Sequence, residues 1–158
     1  MTALTQSILR TDMDAGRIDA GQVSKFTASE IRFSIAELVA QNNLPLAEAL
    51  ADAGLSLYPK HEEMLAIASL LAEVRQDWAS AATLLEQLVR LQGASAPLAT
   101  CLHWVRVLRC HCEPLLALQA VEHALHLHPG DAALDAEKTN LLALIPSISS
   151  MHATRDAA

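Results

Sequence analysis

A spacing of small and apolar residues recurs three times in this sequence and constrains its fold more than any other feature. Each copy has a small residue, then an apolar or small residue four positions later, another three positions on, and a helix breaker five positions further. The copies are Ala47, Ala51, Gly54 and Pro59; Ala81, Leu85, Leu88 and Gly93; and Ala117, Val121, Ala124 and Pro129. Successive copies lie 34 and 36 residues apart, which is the length of a helix-turn-helix repeat.

A polar turn precedes each copy and predicts where a second helix begins. These turns are residues 42–45, 76–78 and 112–114, with Pro45 and Pro114 in the first helical turn, where a missing N–H is tolerated. The first helices are then predicted at residues 28–41, 62–75 and 98–110. A seventh helix is predicted from Ala132 to Leu144, ending at Pro146.

The first predicted helix carries a complete start signal. Thr27 is placed as the N-cap, and Glu30 stands three residues later to complete a capping box. Phe26 is placed to pack on Ile31 as a hydrophobic staple. We therefore expect this helix to begin at Ala28.

Composition favours helices over strands. Hydrophobic residues make up 52% of the 158 residues but aromatic residues only 3%, so Ala and Leu must fill the core at short distances between helices. No alternating run rich in Val, Ile and Thr lies between turn signals, which argues against a sheet. The length predicts a single domain.

The second helices resemble those of the tetratricopeptide repeat family, over residues 28–130. The third copy matches best, because Ala117, Val121, Ala124 and Pro129 occupy the small, apolar, small and proline positions of that family. The first helices depart from it, with Ile31, Ser34, Ile35 and Leu38 where the family has Trp, Leu, Gly and Tyr. The resemblance implies an all-α, tetratricopeptide-like solenoid of about three helix pairs at residues 26–130. An N-terminal extension (residues 1–25) with a short helix near Leu4, Ile8 and Leu9 precedes it, then a loop from Asp12 to Gly21. A capping helix (131–145) and a flexible tail (146–158) follow it.

Charge and cysteine content exclude several classes of protein. A net charge of −7 does not supply the clustered Lys and Arg that phosphate binding requires, so we expect no nucleic-acid partner. No apolar stretch is long enough for a membrane span, and the first ten residues do not resemble a signal peptide. Three cysteines, an odd number, indicate a reducing compartment and a cytoplasmic location.

Cysteines and histidines concentrate at residues 101–128, which raises the question of a metal site. Cys110 and Cys112 are one residue apart, closer than in zinc knuckles, so the pattern favours small apolar cysteines and solvated histidines near helix ends. His126 and His128 fall near a helix C-terminus, where a cation meets the negative end of the helix dipole. No phosphate-binding or nucleophile motif occurs. We expect no enzyme activity, no cofactor and no metal.

A groove lined by the first helices is the predicted binding surface, as the resemblance implies. The candidate residues are Ile31, Ile35, Leu65, Leu102, Trp104 and Arg106. Trp78 is interpreted as a packing residue, whereas Trp104 is placed in the groove.

The predicted function is protein binding, through an apolar or amphipathic segment of the partner. One hypothesis is a small cytoplasmic chaperone or adaptor, similar in size and acidity to the tetratricopeptide-type chaperones of bacterial type III secretion. The alternative is a structural subunit of a larger assembly, and a metal-dependent activity is a third possibility. A homo-oligomer is compatible with each of them.

Overall fold

The structure is a computed structural model that describes residues 4–6 and 20–155. Within these ranges the fold is all-α, without a strand, as composition predicted. The helices are α1 (Ala20–Val23), α2 (Ala28–Ala40), α3 (Leu44–Leu57), α4 (Glu62–Val74), α5 (Trp78–Gln92), α6 (Leu98–Cys110), α7 (Pro114–Leu127) and α8 (Ala132–Arg155), with a 3₁₀ turn at Gly93–Ser95. Residues 4–6 are also helical, whereas Ile8, Leu9 and most of the predicted loop lie outside the described residues. At the end of that loop, Gly21 belongs to α1.

The chain divides into two compact units, Met1–Gln76 and Asp77–Ala158, where the sequence predicted one domain. The boundary separates α4 from α5, the two helices assigned to the second repeat. In the first unit α4 packs against α3 and α2, and in the second α5 packs against α6. The two helices of the second sequence repeat therefore belong to different packing units.

The first unit is built around close contact between α2, α3 and α4. Its largest fully buried side chains include Leu4, Ile31, Ile35, Leu38, Leu50 and Met64. Gly54 lies where α3 meets both neighbours, and a Cβ atom there would overlap Met64 Cε and lie 3.1 Å from Ile31 Cγ2. The absence of a side chain at Gly54 therefore sets how closely the helices approach.

The predicted start signal of α2 is confirmed. The Thr27 side chain accepts a hydrogen bond from the Glu30 N–H, and Glu30 Oε2 accepts one from the Thr27 N–H at 2.8 Å. Phe26 packs against the core cluster that contains Ile31. Hydrogen bonds from the Thr27 backbone and hydroxyl lower the pKa of Glu30. The ionised Glu30 side chain therefore stabilises the folded state above the ordinary pKa of Glu, and this stabilisation is lost as the pH falls through the lowered pKa.

The turns inside the three sequence repeats share one backbone conformation. Asn42, Gln76 and Cys112 have φ of 58°, 60° and 60°, although none of them is a glycine. After α2 the N–H of Asn42 donates to the Val39 carbonyl and that of Asn43 to the Leu38 carbonyl, each at 2.9 Å. The turn after α6 repeats this pattern, which is a Schellman motif that satisfies the last carbonyl groups of a helix.

Each of the helix pairs α2–α3 and α6–α7 has a hydrogen bond between its two ends, and in both pairs the bonded residues are 32 positions apart. Tyr58, the C-cap of α3, donates from Oη to the Phe26 carbonyl at 2.9 Å. His128, the C-cap of α7, lies with Nε2 2.8 Å from the Ala96 carbonyl and donates to it, since a carbonyl only accepts. Phe26 and Ala96 each precede the N-cap of the first helix, so the two bonds are equivalent.

In the second unit, α5, α6, α7 and α8 pack as successive neighbours. The small residues that define the repeat are buried here as well, with Ala81 and Ala117 fully inaccessible and Ala124 only 1% exposed. The longer second spacing arises because α5 has 15 residues where α3 has 14, and because residues 93–97 form a connection one residue longer than residues 58–61.

The last helix is longer than predicted. It continues through Pro146 to Arg155, so residues 146–155 are helical rather than part of a tail. A proline inside a helix removes one backbone hydrogen bond at a cost of about 3 kcal/mol, which disfavours helical structure without excluding it.

Enlarging a buried small residue tests the register of the repeat. We expect Ala117→Leu to lower the free energy of unfolding by about 1–3 kcal/mol, because it overpacks a contact with no free space. Gln119→Leu, two residues away at an exposed position of α7, should change it by less than about 0.5 kcal/mol. Urea denaturation followed by circular dichroism measures both, and equal effects would contradict the register.

The closing hydrogen bond of the first unit gives a second test. Tyr58→Phe should lower the free energy of unfolding by about 0.5–1.5 kcal/mol, since it leaves the Phe26 carbonyl without this donor. His128→Phe should have an effect of the same sign on the equivalent bond. Thermal and urea unfolding of the two variants measure this, and a neutral Tyr58→Phe would mean that water replaces the bond.

Candidate functional site

Three of the six predicted groove residues are in the core instead. Ile31 and Ile35 are fully inaccessible, and Leu65 is 2% exposed. The buried apolar residues of α2 pack against α3 and α4, whereas Phe33 on the same helix is 54% exposed. The prediction that these three residues line an accessible groove is therefore wrong.

The other three candidates lie on α6 in the second unit. Leu102 and Trp104 are half-buried and Arg106 is exposed. Residues two apart on an α-helix point about 200° from each other. Trp104 and Arg106 accordingly line two different grooves, on opposite sides of α6.

Trp104 lies in a groove of 430 Å³ that we call the α5–α7 groove. Its walls are α5 and α7, with α6 between them. Both walls are second helices of the sequence repeat, so this groove is not the one that the sequence predicted between first helices. The lining residues are Ala79, Ala82, Thr83, Glu86, Val89, Arg90, Trp104, Leu108, His111, Leu116, Gln119, Ala120 and His123.

The α5–α7 groove has an apolar interior and a polar rim. Val89, Leu108 and Ala120 are almost completely buried, whereas Leu116 remains 46% exposed. On the α5 side, Arg90 Nη2 is 2.6 Å from Glu86 Oε1. The small residues Ala82 and Ala120 are among the buried residues of its lining.

Arg106 lies in a second groove, of 550 Å³, which we call the α6–α8 groove. Its lining residues are Arg106, Arg109, Cys110, Cys112, Pro114, Leu141 and Leu144. Arg109 Nη1 donates to both carboxylate oxygens of Glu137, at 3.0 and 2.8 Å, and so ties α6 to α8. This groove combines guanidinium groups, two thiols and apolar leucines.

Local contacts describe three further side chains, those of Trp78, His126 and Glu63. Trp78, the first residue of α5, is half-buried, which fits packing under the turn but not full burial. His126 Nδ1 donates to the Glu122 carbonyl at 2.8 Å. Glu63 at the start of α4 forms an ion pair with Arg32, at 3.2 Å, and hydrogen bonds from Ser29 and Arg32 lower its pKa.

Metal-binding and membrane-spanning features were sought over residues 4–6 and 20–155. No group of three or more His, Cys, Asp or Glu side chains that could hold a metal ion lies there. None of the helices in the same ranges has the length and apolar character that a membrane crossing requires.

Sequence reasoning missed the wall residues of the α5–α7 groove, Leu116 above all. On α7 the repeat places its packing residues at Ala117, Val121 and Ala124. Leu116 and Leu115 fall outside this stripe and are 46% and 59% exposed. A leucine outside the packing positions of a repeat was the available signal.

The three thiols should differ in reactivity. Cys101 is 1% exposed, and burial raises the pKa of its thiol, whereas Cys110 and Cys112 are exposed. Since the thiolate is the reactive form, we expect Ellman's reagent to modify two thiols rapidly in the folded protein and Cys101 only after unfolding. Mass spectrometry of digested protein identifies the modified residues, and rapid reaction of all three would contradict the packing of Cys101.

Comparison with known proteins gives no match, either to a family model or to a curated protein.

Proposed function

We propose that this chain is a protein-binding module that holds an amphipathic helix of a partner protein in the α5–α7 groove. The observation that carries this proposal is a half-buried Trp104 in a groove with an apolar interior and a charged rim. Large aromatic residues in partly enclosed apolar pockets contribute most of the binding energy in many interfaces. The chain has only two tryptophans, and one of them lies in this groove.

The size of the groove indicates the kind of segment that fits. Its α5 wall runs from Ala79 to Arg90, which spans about 17 Å at 1.5 Å per residue. A helix of about three turns matches this length and would place apolar residues at positions i, i+3 or i+4, and i+7 against the groove. Its polar face would meet the rim formed by Glu86, Arg90 and Gln119.

The tetratricopeptide-like nature of the repeat is part of the same proposal. The repeated left-handed turns and the two equivalent closing hydrogen bonds support it. On this basis we propose a small cytoplasmic chaperone or adaptor that covers an apolar segment of its client, as type III secretion chaperones do, without catalysing a reaction.

Removing the indole ring tests the binding site. We expect Trp104→Ala to weaken binding of the client by about 2 kcal/mol, or roughly 30-fold, because it removes the central apolar contact. The client is first identified by co-purification with the tagged chain from the cells that produce it. Its affinity is then measured by isothermal titration calorimetry, with helicity checked by circular dichroism.

Arg106→Ala is the matched control, since it changes the same helix on the opposite side. It should leave the affinity within about twofold of the unmodified protein, a difference of about 0.4 kcal/mol. A large loss with Arg106→Ala and none with Trp104→Ala would move the client to the α6–α8 groove.

The structural-subunit alternative predicts different behaviour of the isolated chain. A chaperone should be folded and soluble when expressed alone, whereas an obligate subunit should aggregate without the neighbour that fills its groove. Exposed leucines at Leu91, Leu115 and Leu116 give this alternative a physical basis. Size-exclusion chromatography with light scattering distinguishes the two.

A further inference from the structure

The α6–α8 groove brings together two thiols that the proposed function does not use. Cys110 is the last residue of α6, and Cys112 lies in the turn that leads to α7. Both are free, exposed and part of the lining of this groove. Their proximity therefore calls for its own explanation.

Both Cys110 and Cys112 line the α6–α8 groove, on either side of a single intervening residue. Cys112 has φ of 60°, and its Sγ lies 3.9 Å from the carbonyl oxygen of Cys110. His111, the residue between them, lines the α5–α7 groove instead. The intervening side chain is thus out of the way, and the two sulfur atoms face one space.

The surroundings suit an anionic complex of a soft cation. Leu141 and Leu144 make the other wall apolar, and Arg106 and Arg109 add guanidinium groups. Soft thiolate ligands select Cu(I) among the first-row metal ions. Two thiolates and one monovalent cation carry a net charge of −1; Arg106 is a cationic residue of the same lining, whereas the charge of Arg109 is balanced by Glu137.

We infer that Cys110 and Cys112 form a two-coordinate site for a soft monovalent cation, with Cu(I) as its chemical type. Binding converts two thiols and one Cu(I) into an anionic bis-thiolate complex and releases two protons to solvent. The oxidation state of copper does not change, so no oxidant or reductant is consumed. This inference concerns a different groove from the client site and does not depend on the proposed function.

Two competing uses of the thiols fit the geometry less well. Zinc requires about four ligands, and the described residues offer no group of three or more candidate ligands. A disulfide needs Cβ atoms about 3.5–4.5 Å apart in a defined orientation. A two-coordinate cation needs only one sulfur atom on each side of it, and both cysteines are exposed residues of one groove.

The test is an anaerobic competition between the reduced full-length protein and the Cu(I) chelator bicinchoninate. We expect the protein to withhold one equivalent of Cu(I) from the coloured chelator complex. Cys110→Ser and Cys112→Ser should each lower the affinity by at least about 100-fold. Changes around the ligands of a metal site cost up to about 100-fold, and the loss of a ligand itself should cost no less. Cys101→Ser, a buried thiol outside the groove, should bind as the unmodified protein does.

Two further measurements keep the inference falsifiable if a variant unfolds. Zn(II) in tenfold excess should not displace Cu(I), and X-ray absorption at the copper edge should show two sulfur neighbours. Competition no better than that of the Cys110→Ser, Cys112→Ser double variant would overturn the inference. Dependence on Cys101, or displacement by Zn(II), would overturn it as well.

Discussion

Close approach between helix backbones is the interaction on which the rest of this structure depends. Because the chain has so few aromatic residues, its core is closed by small side chains rather than filled by rings. At Gly54 the neighbouring side chains of Met64 and Ile31 occupy the space that a Cβ atom would need. Beside the α5–α7 groove the small residues Ala82 and Ala120 are buried as well, at 7% and 1% exposure.

The helices could be predicted well because their ends carry chemical signals. Thr27 with Glu30 fixed the start of α2, and Pro114 is the first residue of α7, as predicted. The left-handed turns could not be predicted, since Asn42, Gln76 and Cys112 are not the glycine that usually marks that conformation. The equivalent hydrogen bonds of Tyr58 and His128 could not be predicted either, because their donors are chemically different groups, a phenol and an imidazole.

The binding surface was less predictable than the fold. Whether an apolar residue on a first helix is surplus depends on how many neighbours pack on that helix, and periodicity alone does not supply this number. Ile31 and Leu65 are used up in the core, whereas Leu116 is left outside because α7 packs through Ala117 and Ala120. Trp104 and Arg106 were predicted to share one groove, but the rotation between them along α6 places them in two different grooves.

The boundary between Gln76 and Asp77 lies within a sequence repeat, so the repeats of the sequence and the packing units of the structure do not coincide. In the structure α4 packs with the helix pair before it, and α5 packs with the pair after it. A substitution in the second repeat therefore changes the packing of the first unit if it lies on α4, and the packing of the second unit if it lies on α5.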